Sequence, residues 1–302
     1  MSTVVSFSRY GDPDVLAVSR AEVPVPAPGQ VQVLVRAVSV NPVDVKIRSG
    51  MMDGIMPVEF PVVPGWDVAG VVTAVGEGAT ARVGDEVFGV AATGGYSEYA
   101  LLDDPVAKPA GVSWETAAAM VTVGEAAFRV LKHLGLKSGQ VLVILGAGGS
   151  VGTVAVQLAV AREITVIGTA AEEDIARITA MGAVGVRSGD GWAGRVKAVA
   201  PGGVDAVFDT TGAGLLADAV ALAGDPAKVI TIADHHAAEH GVRFTGADPS
   251  DRAPEALPEL AALIAAGKLT VPVWRSYPLA EAAKAHADLE AGRNHGKIVL
   301  LP

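Results

Sequence analysis

No cysteine occurs anywhere in the 302-residue chain. That absence removes disulfides, thiolate nucleophiles and every cysteine-based zinc site in one step, and it fits a reducing compartment. Basic runs are missing too. The formal net charge is −10, which argues against nucleic acid and anionic membranes as partners. No uninterrupted apolar segment is long enough to span a bilayer. Residues 1–9 lack the basic n-region and long apolar h-region of a secretory leader. The expectation is a soluble cytoplasmic protein. There is also no low-complexity linker and no internal repeat.

Hydrophobic residues, by contrast, make up 50% of the chain, ample for sizeable cores. The length exceeds the common single-domain size, so two domains are expected. Residues 1–115 read as β-rich. Residues 31–40, 69–76 and 86–90 are strand-like, with turn-rich joints such as Pro24-Val-Pro-Ala-Pro-Gly29 between them. Ser113 reads as an N-cap, and 115–134 as a helix interrupted around Gly124. From 141 onward strands and helices alternate. Strands are expected at 141–145, 164–168, 184–186, 204–209 and 228–232, and helices at 151–161, 172–181, 192–200 and 215–223. Such β–α repeats make an α/β, doubly wound parallel sheet. The tail reads as a helix over 256–266 capped by Gly267, an extended segment, a helix over 279–291 and a strand over 297–301. The economical account returns this tail to the N-terminal domain. The expected domains are therefore 1–115 with 267–302, and 116–266.

The chain is organised around Gly146, Ala147, Gly148, Gly149, Ser150, Val151 and Gly152. They follow a buried strand and open a helix, the context a dinucleotide-phosphate turn requires. Glycines let the chain turn, let the backbone approach a pyrophosphate and let helix and strand pack closely. The N–H groups at the helix start then face the phosphates. The pattern is not a strict G-x-G-x-x-G, because Ala147 holds the first place.

Several collinear segments resemble the medium-chain dehydrogenase/reductase superfamily, and within it the zinc-free quinone oxidoreductase (zeta-crystallin-like) branch. They are Asn41-Pro-Val-Asp-Val-Lys-Ile-Arg-Ser-Gly50, Pro64-Gly-Trp-Asp-Val-Ala-Gly-Val-Val-Thr-Ala-Val-Gly76, Val83-Gly-Asp-Glu-Val-Phe-Gly89, Gly94-Gly-Tyr-Ser-Glu-Tyr99, the glycine turn, Asp209-Thr-Thr-Gly212 and Gly296-Lys-Ile-Val-Leu300. The resemblance implies a GroES-like β-rich catalytic domain joined to a Rossmann cofactor domain. It implies hydride transfer from NADPH, with NADH possible, to a quinone or an α,β-unsaturated carbonyl. A homodimer is the default. Zinc-dependent relatives carry Gly-His-Glu and cysteine ligands; here the segment is Gly65-Trp66-Asp67, so no metal is expected.

Within that frame, Asn41, Asp44 and Lys46 are the catalytic candidates. Asn41 suits positioning of the nicotinamide amide or the substrate carbonyl, and its alternative is a turn-forming Asn before Pro42. On a strand or turn leaving the cleft, Lys46 would donate to an oxyanion; its alternative is an ion pair with Asp44. Arg48 reads as a surface or interface charge. Met51 and Met52 stand where many relatives place a tyrosine, which suggests an apolar, adaptable substrate pocket. Ala126 stands where relatives have a threonine, with Thr122 close enough to substitute. Thr169 and Ala170, about twenty residues past the turn, leave room for a 2′-phosphate. Arg177 reaches back to that phosphate or is solvated, and Glu172, Glu173 and Asp174 read as first-turn helix acids. Thr210, Thr211, Gly212, Ala233 and Asp234 end strands at the sheet's carboxyl edge, where ligands bind. Lys297 belongs to the closing family segment near the cofactor, or is a surface lysine. His235, His236 and His240 read as rim residues and Glu98 as structural. Met51, Met52 and Ala126 also motivate a second class of reading, a nucleotide-binding sensor or a non-redox biosynthetic protein. A purely structural, lens-type role is a third.

Overall fold

The computed structural model describes residues 1–246 and 248–302. In chain order the elements are β1 (Ser2–Ser6), β2 (Ala17–Ala21), β3 (Val31–Val40), α1 (Pro42–Ser49), β4 (Asp67–Val75), β5 (Glu86–Val90), β6 (Tyr99–Leu102), β7 (Val106–Ala107) and α2 (Trp114–Leu134). Next come β8 (Val141–Leu145), α3 (Ser150–Ala161), β9 (Thr165–Ala170), α4 (Ile175–Ala180), β10 (Val184–Arg187), α5 (Trp192–Val199), β11 (Ala206–Asp209), α6 (Leu216–Ala223), β12 (Val229–Thr231) and β13 (Arg243–Phe244). The tail holds α7 (Ala256–Ala265), β14 (Val273–Pro278), α8 (Ala282–Glu290) and β15 (Lys297–Leu301).

Two compact units result. One is Met1–Thr122 with Leu257–Pro302, the other Val123–Ala256. The divisions fall inside α2 and at the start of α7, not at 115/116 and 266/267. Ser113 caps α2 as its sequence suggests, its Oγ accepting from the Thr116 N–H at 3.1 Å. Gly124 does not interrupt the helix. An interior glycine costs about 1 kcal/mol against alanine, and burial of the surrounding Val121, Val123 and Ala127 offsets that.

The first unit is built on a sheet of order β14-β15-β3-β4-β5-β7, with β6 also pairing β3. β14 and β15 run parallel and the other pairs antiparallel. The C-terminal strand therefore does return to the N-terminal unit. Alternate Val31, Val33 and Val35 of β3 are buried with Val68, Val72 and Ile298 of its neighbours. The period of two is what turns one face of such a strand to a core. Register then places chemistry. Ser39 faces Asp67 across β3/β4, and Val40 faces Ile298 across β3/β15. Asp67 and Lys297 so arrive on either side of Asn41, the residue at which β3 gives way to α1.

The second unit carries a wholly parallel sheet of order β10-β9-β8-β11-β12-β13. Counted from its first strand this is 3-2-1-4-5-6, the order of a doubly wound dinucleotide fold. β8 is Val-Leu-Val-Ile-Leu and nearly all buried, as a strand covered on both faces must be. The chain reverses between β8 and β11, so the loops after those strands open at the switch point where ligands bind.

Candidate functional site

In the second unit the glycine turn follows β8. Gly146 has φ +81°, a left-handed conformation, and a Cβ there would lie 2.6 Å from Thr210 Oγ1. At Gly152 a Cβ would stand 2.2 Å from the Gly146 carbonyl oxygen. That glycine is what lets α3 start against the turn. Gly149 is the N-cap of α3, and the first helical bond runs from Thr153 N–H to Gly149 O at 2.8 Å. The N–H groups of Ser150, Val151 and Gly152 precede that bond and point out of the helix start, where the dipole favours an anion. Ala147 is buried and its N–H donates to Thr169 O at 2.9 Å.

The turn opens on a cavity of about 610 Å³ whose walls include Gly148, Thr169, Ala170, Asp174 and Thr211. Thr169 is 2% exposed, and its Oγ1 accepts from the Gly146 N–H. It braces the turn as well as lining the cavity. Thr210 Oγ1 donates to Leu145 O at 2.8 Å, tying the ends of β8 and β11 together. Thr211 Oγ1 and N–H, with the Gly212 N–H, all reach the buried carboxylate of Asp209, which Thr231 Oγ1 also joins at 2.8 Å. Asp209 is thus the organiser of this loop. The N–H groups of Ala233 and Asp234 donate to Thr231 Oγ1, so both are already used within the loop.

Arg177 is half-buried and tied to its own neighbourhood. Its guanidinium donates to Thr153 Oγ1 at 2.9 Å, to Gly148 O at 2.7 Å and to Asp174 Oδ1 at 2.8 Å. Glu172 to Asp174 form a 3₁₀ turn ahead of α4 instead of its first turn. His235 stacks on Phe244 and His236 bonds Glu239 at the surface.

The first unit holds a buried polar cluster around Asn41. Asn41 Nδ2 donates to Asp67 Oδ2 at 2.8 Å, and Lys297 Nζ donates to Asn41 Oδ1 at 2.5 Å and to Val40 O at 3.1 Å. Lys297 is 4% exposed, which corrects the reading of a surface lysine. Thr122 donates its hydroxyl to Asp67 Oδ1 at 2.6 Å and its N–H to Oδ2. That hydroxyl proton is committed, so Thr122 does not replace a lost donor. Burial raises the carboxyl pKa of Asp67, and Lys297 opposes the shift; burial lowers that of Lys297. Asp44 is fully buried and accepts the Asn41 N–H at 2.8 Å, closing the first turn of α1. Burial pushes its pKa up to about 7.

Lys46 lies on helix α1, not on a strand or turn. Positions two apart on a helix face different sides, so Asp44 and Lys46 do not pair. Arg48 is fully buried, not at the surface, and pairs with Glu290. Tyr96 Oη shares a 2.8 Å hydrogen bond with His286 Nε2. Burial, with the Arg48 charge adding, lowers the His286 pKa to about 3. Met51 is 71% exposed, while Met52 packs on the core of this unit. The paired methionines therefore do not line one cavity wall. Glu98 accepts the Thr3 N–H and is structural. Sequence reading passed over Asp67, Tyr96, His286 and Asp209 as site residues. Asp67, Tyr96 and Asp209 all lie in segments that carry the family resemblance, whereas nothing local marks His286.

The second unit thus sets a glycine turn at the switch point of a doubly wound sheet, and the first holds a buried asparagine between a lysine and an aspartate. The description "Alcohol dehydrogenase GroES-like domain" matches residues 27–132, and "Zinc-binding dehydrogenase" matches residues 181–300. The chain is 33% identical to a quinone oxidoreductase of Sus scrofa over 100% of its own length and 98% of that protein's. It is 30% identical to a 2-methylene-furan-3-one reductase of Solanum lycopersicum, covering 98% of this chain and 78% of that one. Among solved structures, a mycobacterial protein complexed with NADPH superposes with a TM-score of 0.85 at 29% identity, with 100% of both chains covered. The chain belongs to the quinone oxidoreductase branch of the medium-chain dehydrogenase/reductase superfamily, and is an NAD(P)H-dependent oxidoreductase.

Proposed function

We propose that this chain reduces a quinone or an α,β-unsaturated carbonyl without zinc, using a reduced nicotinamide dinucleotide. The carrying observation is the glycine turn at the β8/β11 switch point, whose helix-start N–H groups and closely packed Gly146 and Gly152 fit a pyrophosphate. The dinucleotide supplies the hydride. The chain's own residues bind it and order the polar groups. The Sus scrofa and Solanum lycopersicum relatives support the two acceptor classes. Zinc independence is supported by the sequence, which offers no cysteine. Among the described residues no group of three His, Asp or Glu is placed to hold a metal.

Asn41 is the proposed donor to the developing oxyanion. One of its two Nδ2 protons is fixed on Asp67 and its Oδ1 on Lys297, which leaves one N–H to offer. Lys297 and Asp67 orient the amide, and Asp44 fixes its backbone. Lys46, half-buried on α1, remains a second candidate donor. We also propose a cytoplasmic homodimer. Among the described residues no helix is long and apolar enough to cross a membrane.

The test is oxidation of NADPH and of NADH by the purified protein, with a panel of simple quinones and enones, followed by loss of the reduced-nicotinamide absorbance. Acceleration by members of either class is expected. Tight cofactor binding with no hydride loss across the panel favours a sensor or non-redox role instead.

A further inference from the structure

The dinucleotide's adenosine end meets the second strand of the parallel sheet, and there the chain presents one well-held acid. A Cβ built on Gly148 would lie 2.6 Å from Asp174 Oδ2. The carboxylate therefore sits directly over the phosphate turn. It is not a flexible surface group. Arg177 bonds its Oδ1 and, with its other bonds to Gly148 O and Thr153 Oγ1, pins the acid to the turn and to α3. The Asp174 N–H donates to Ala171 O, closing the 3₁₀ turn that carries it. Asp174 lines the cavity together with Thr169 and Ala170, with its Oδ2 on the Gly148 side.

The geometry points to Asp174 as the residue that selects the cofactor: its free oxygen accepts from an adenosine ribose hydroxyl and repels a 2′-phosphate, so the protein prefers NADH to NADPH. This rests on the nicotinamide-dinucleotide reading above. An acid about twenty residues past the glycine turn commonly bonds the ribose hydroxyls, and Asp174 stands 22 positions past Gly152. Here it comes from the turn after β9, not from the strand end, where Thr169 and Ala170 are small. Charge in the rest of the cavity points the same way. Asp190 and Asp218 are on its walls, and among the described residues no Lys or Arg lines it. Arg177 directs three of its N–H donors to Thr153, Gly148 and Asp174 itself. A 2′-phosphate would bring a second anion against a fixed carboxylate in a partly enclosed site, where like charges repel strongly.

The experiment is a titration of the purified full chain with NADH and with NADPH, read by dissociation constant, with adenosine 2′-phosphate and adenosine as competitors. NADH is expected to bind roughly tenfold more tightly or better, and adenosine to compete better than its 2′-phosphate. In Asp174→Ser the two dinucleotides should converge to within roughly threefold, mainly through tighter NADPH. Asp174→Asn keeps the shape and should move the ratio in the same direction, with an unchanged melting temperature showing that the turn is intact. Equal or tighter NADPH binding by the wild type overturns the assignment. So does a preference for NADH that survives both substitutions. A third overturning result is NADPH binding that collapses in Arg177→Met, which would make that guanidinium a phosphate ligand. If neither dinucleotide binds at all, the cofactor reading falls together with the role of Asp174; a wild-type preference for NADPH removes only the latter.

Discussion

Lys297 Nζ lies 2.5 Å from Asn41 Oδ1, on the far side of the same carboxamide whose Nδ2 donates to Asp67. One lysine and one aspartate thus hold an asparagine in a single orientation, all three buried. The amide cannot flip without breaking a charged hydrogen bond at each end, and such bonds are about twice as strong as neutral ones.

Removing the lysine should therefore do two things. Lys297→Met leaves Asp67 without its cation in a buried site, a change that typically costs about 3–5 kcal/mol. A fall of many degrees in melting temperature is expected, with part recovered in Lys297→Met/Asp67→Asn. In the double variant the amide has lost its charged clamps, so turnover should stay low while stability returns. A Lys297→Met protein as stable as wild type would show that the pair contributes nothing.

The glycine turn separates binding from folding. Gly149 is an N-cap with φ −74°, and a Cβ there meets only the Gly146 carbonyl oxygen at 3.3 Å. Aspartate is a good N-cap, so Gly149→Asp should fold with a melting temperature near wild type and lose dinucleotide binding through its negative charge. Gly152→Ala should instead destabilise, by about 1–3 kcal/mol for an overpacked site, because its Cβ would fall 2.2 Å from a backbone oxygen. Thermal melts and fluorescence titration with both dinucleotides read the two effects. Normal cofactor affinity in Gly149→Asp would remove the site assignment.

Asp44 should make alkaline conditions less favourable. Its pKa is about 7 in the fold against 3.8 for the free group. Between those values the folded chain keeps a proton that the unfolded chain has released, so stability falls as pH rises from about 4 to about 7. Asp44→Asn cannot ionise and still accepts the Asn41 N–H. Its melting temperature, relative to wild type, should climb across that interval. A constant offset would show that Asp44 does not titrate there.

His286 acts in the opposite direction. Its imidazole is neutral in the fold down to about pH 3, against 6.5 for the free group. The unfolded chain takes the proton first, so stability is lost as pH falls from about 6.5 to about 3. His286→Gln keeps a partner for Tyr96 Oη and removes this titration. Wild type should lose more melting temperature on acidification than the variant does. Parallel loss in both proteins would place the acid sensitivity elsewhere.

Much of the architecture was legible in the chain itself. The turn at Gly146 to Gly152, the strand and helix either side of it and the parallel alternation all rest on local pattern, while the return of 297–301 to the first unit follows only from economy of topology. Period, glycine and cap signals act over a few residues, and Ser113 and Gly267 (φ +67°) mark helix ends where they should. Helix α1 is hard to read from the sequence because its eight residues carry a weak apolar stripe and three closely spaced charges, Asp44, Lys46 and Arg48. The placement of Lys46 is hidden with it. The burial of Arg48 and Lys297 is hidden from the sequence for a related reason. Lysine and arginine are almost always exposed unless paired, and their partners Glu290 and Asn41 are 242 and 256 positions away in the chain.

By itself, then, the sequence determined a β-rich part, a β–α alternation and a glycine turn between strand and helix, since those features depend on neighbours along the backbone. The tertiary structure alone decided which way the asparagine faces, which acid lies over the turn, and where the buried charges find partners. Strand register and the seating of α4 bring together groups that the chain keeps far apart. Only in low dielectric, once packed, do their charges interact strongly enough to fix one arrangement.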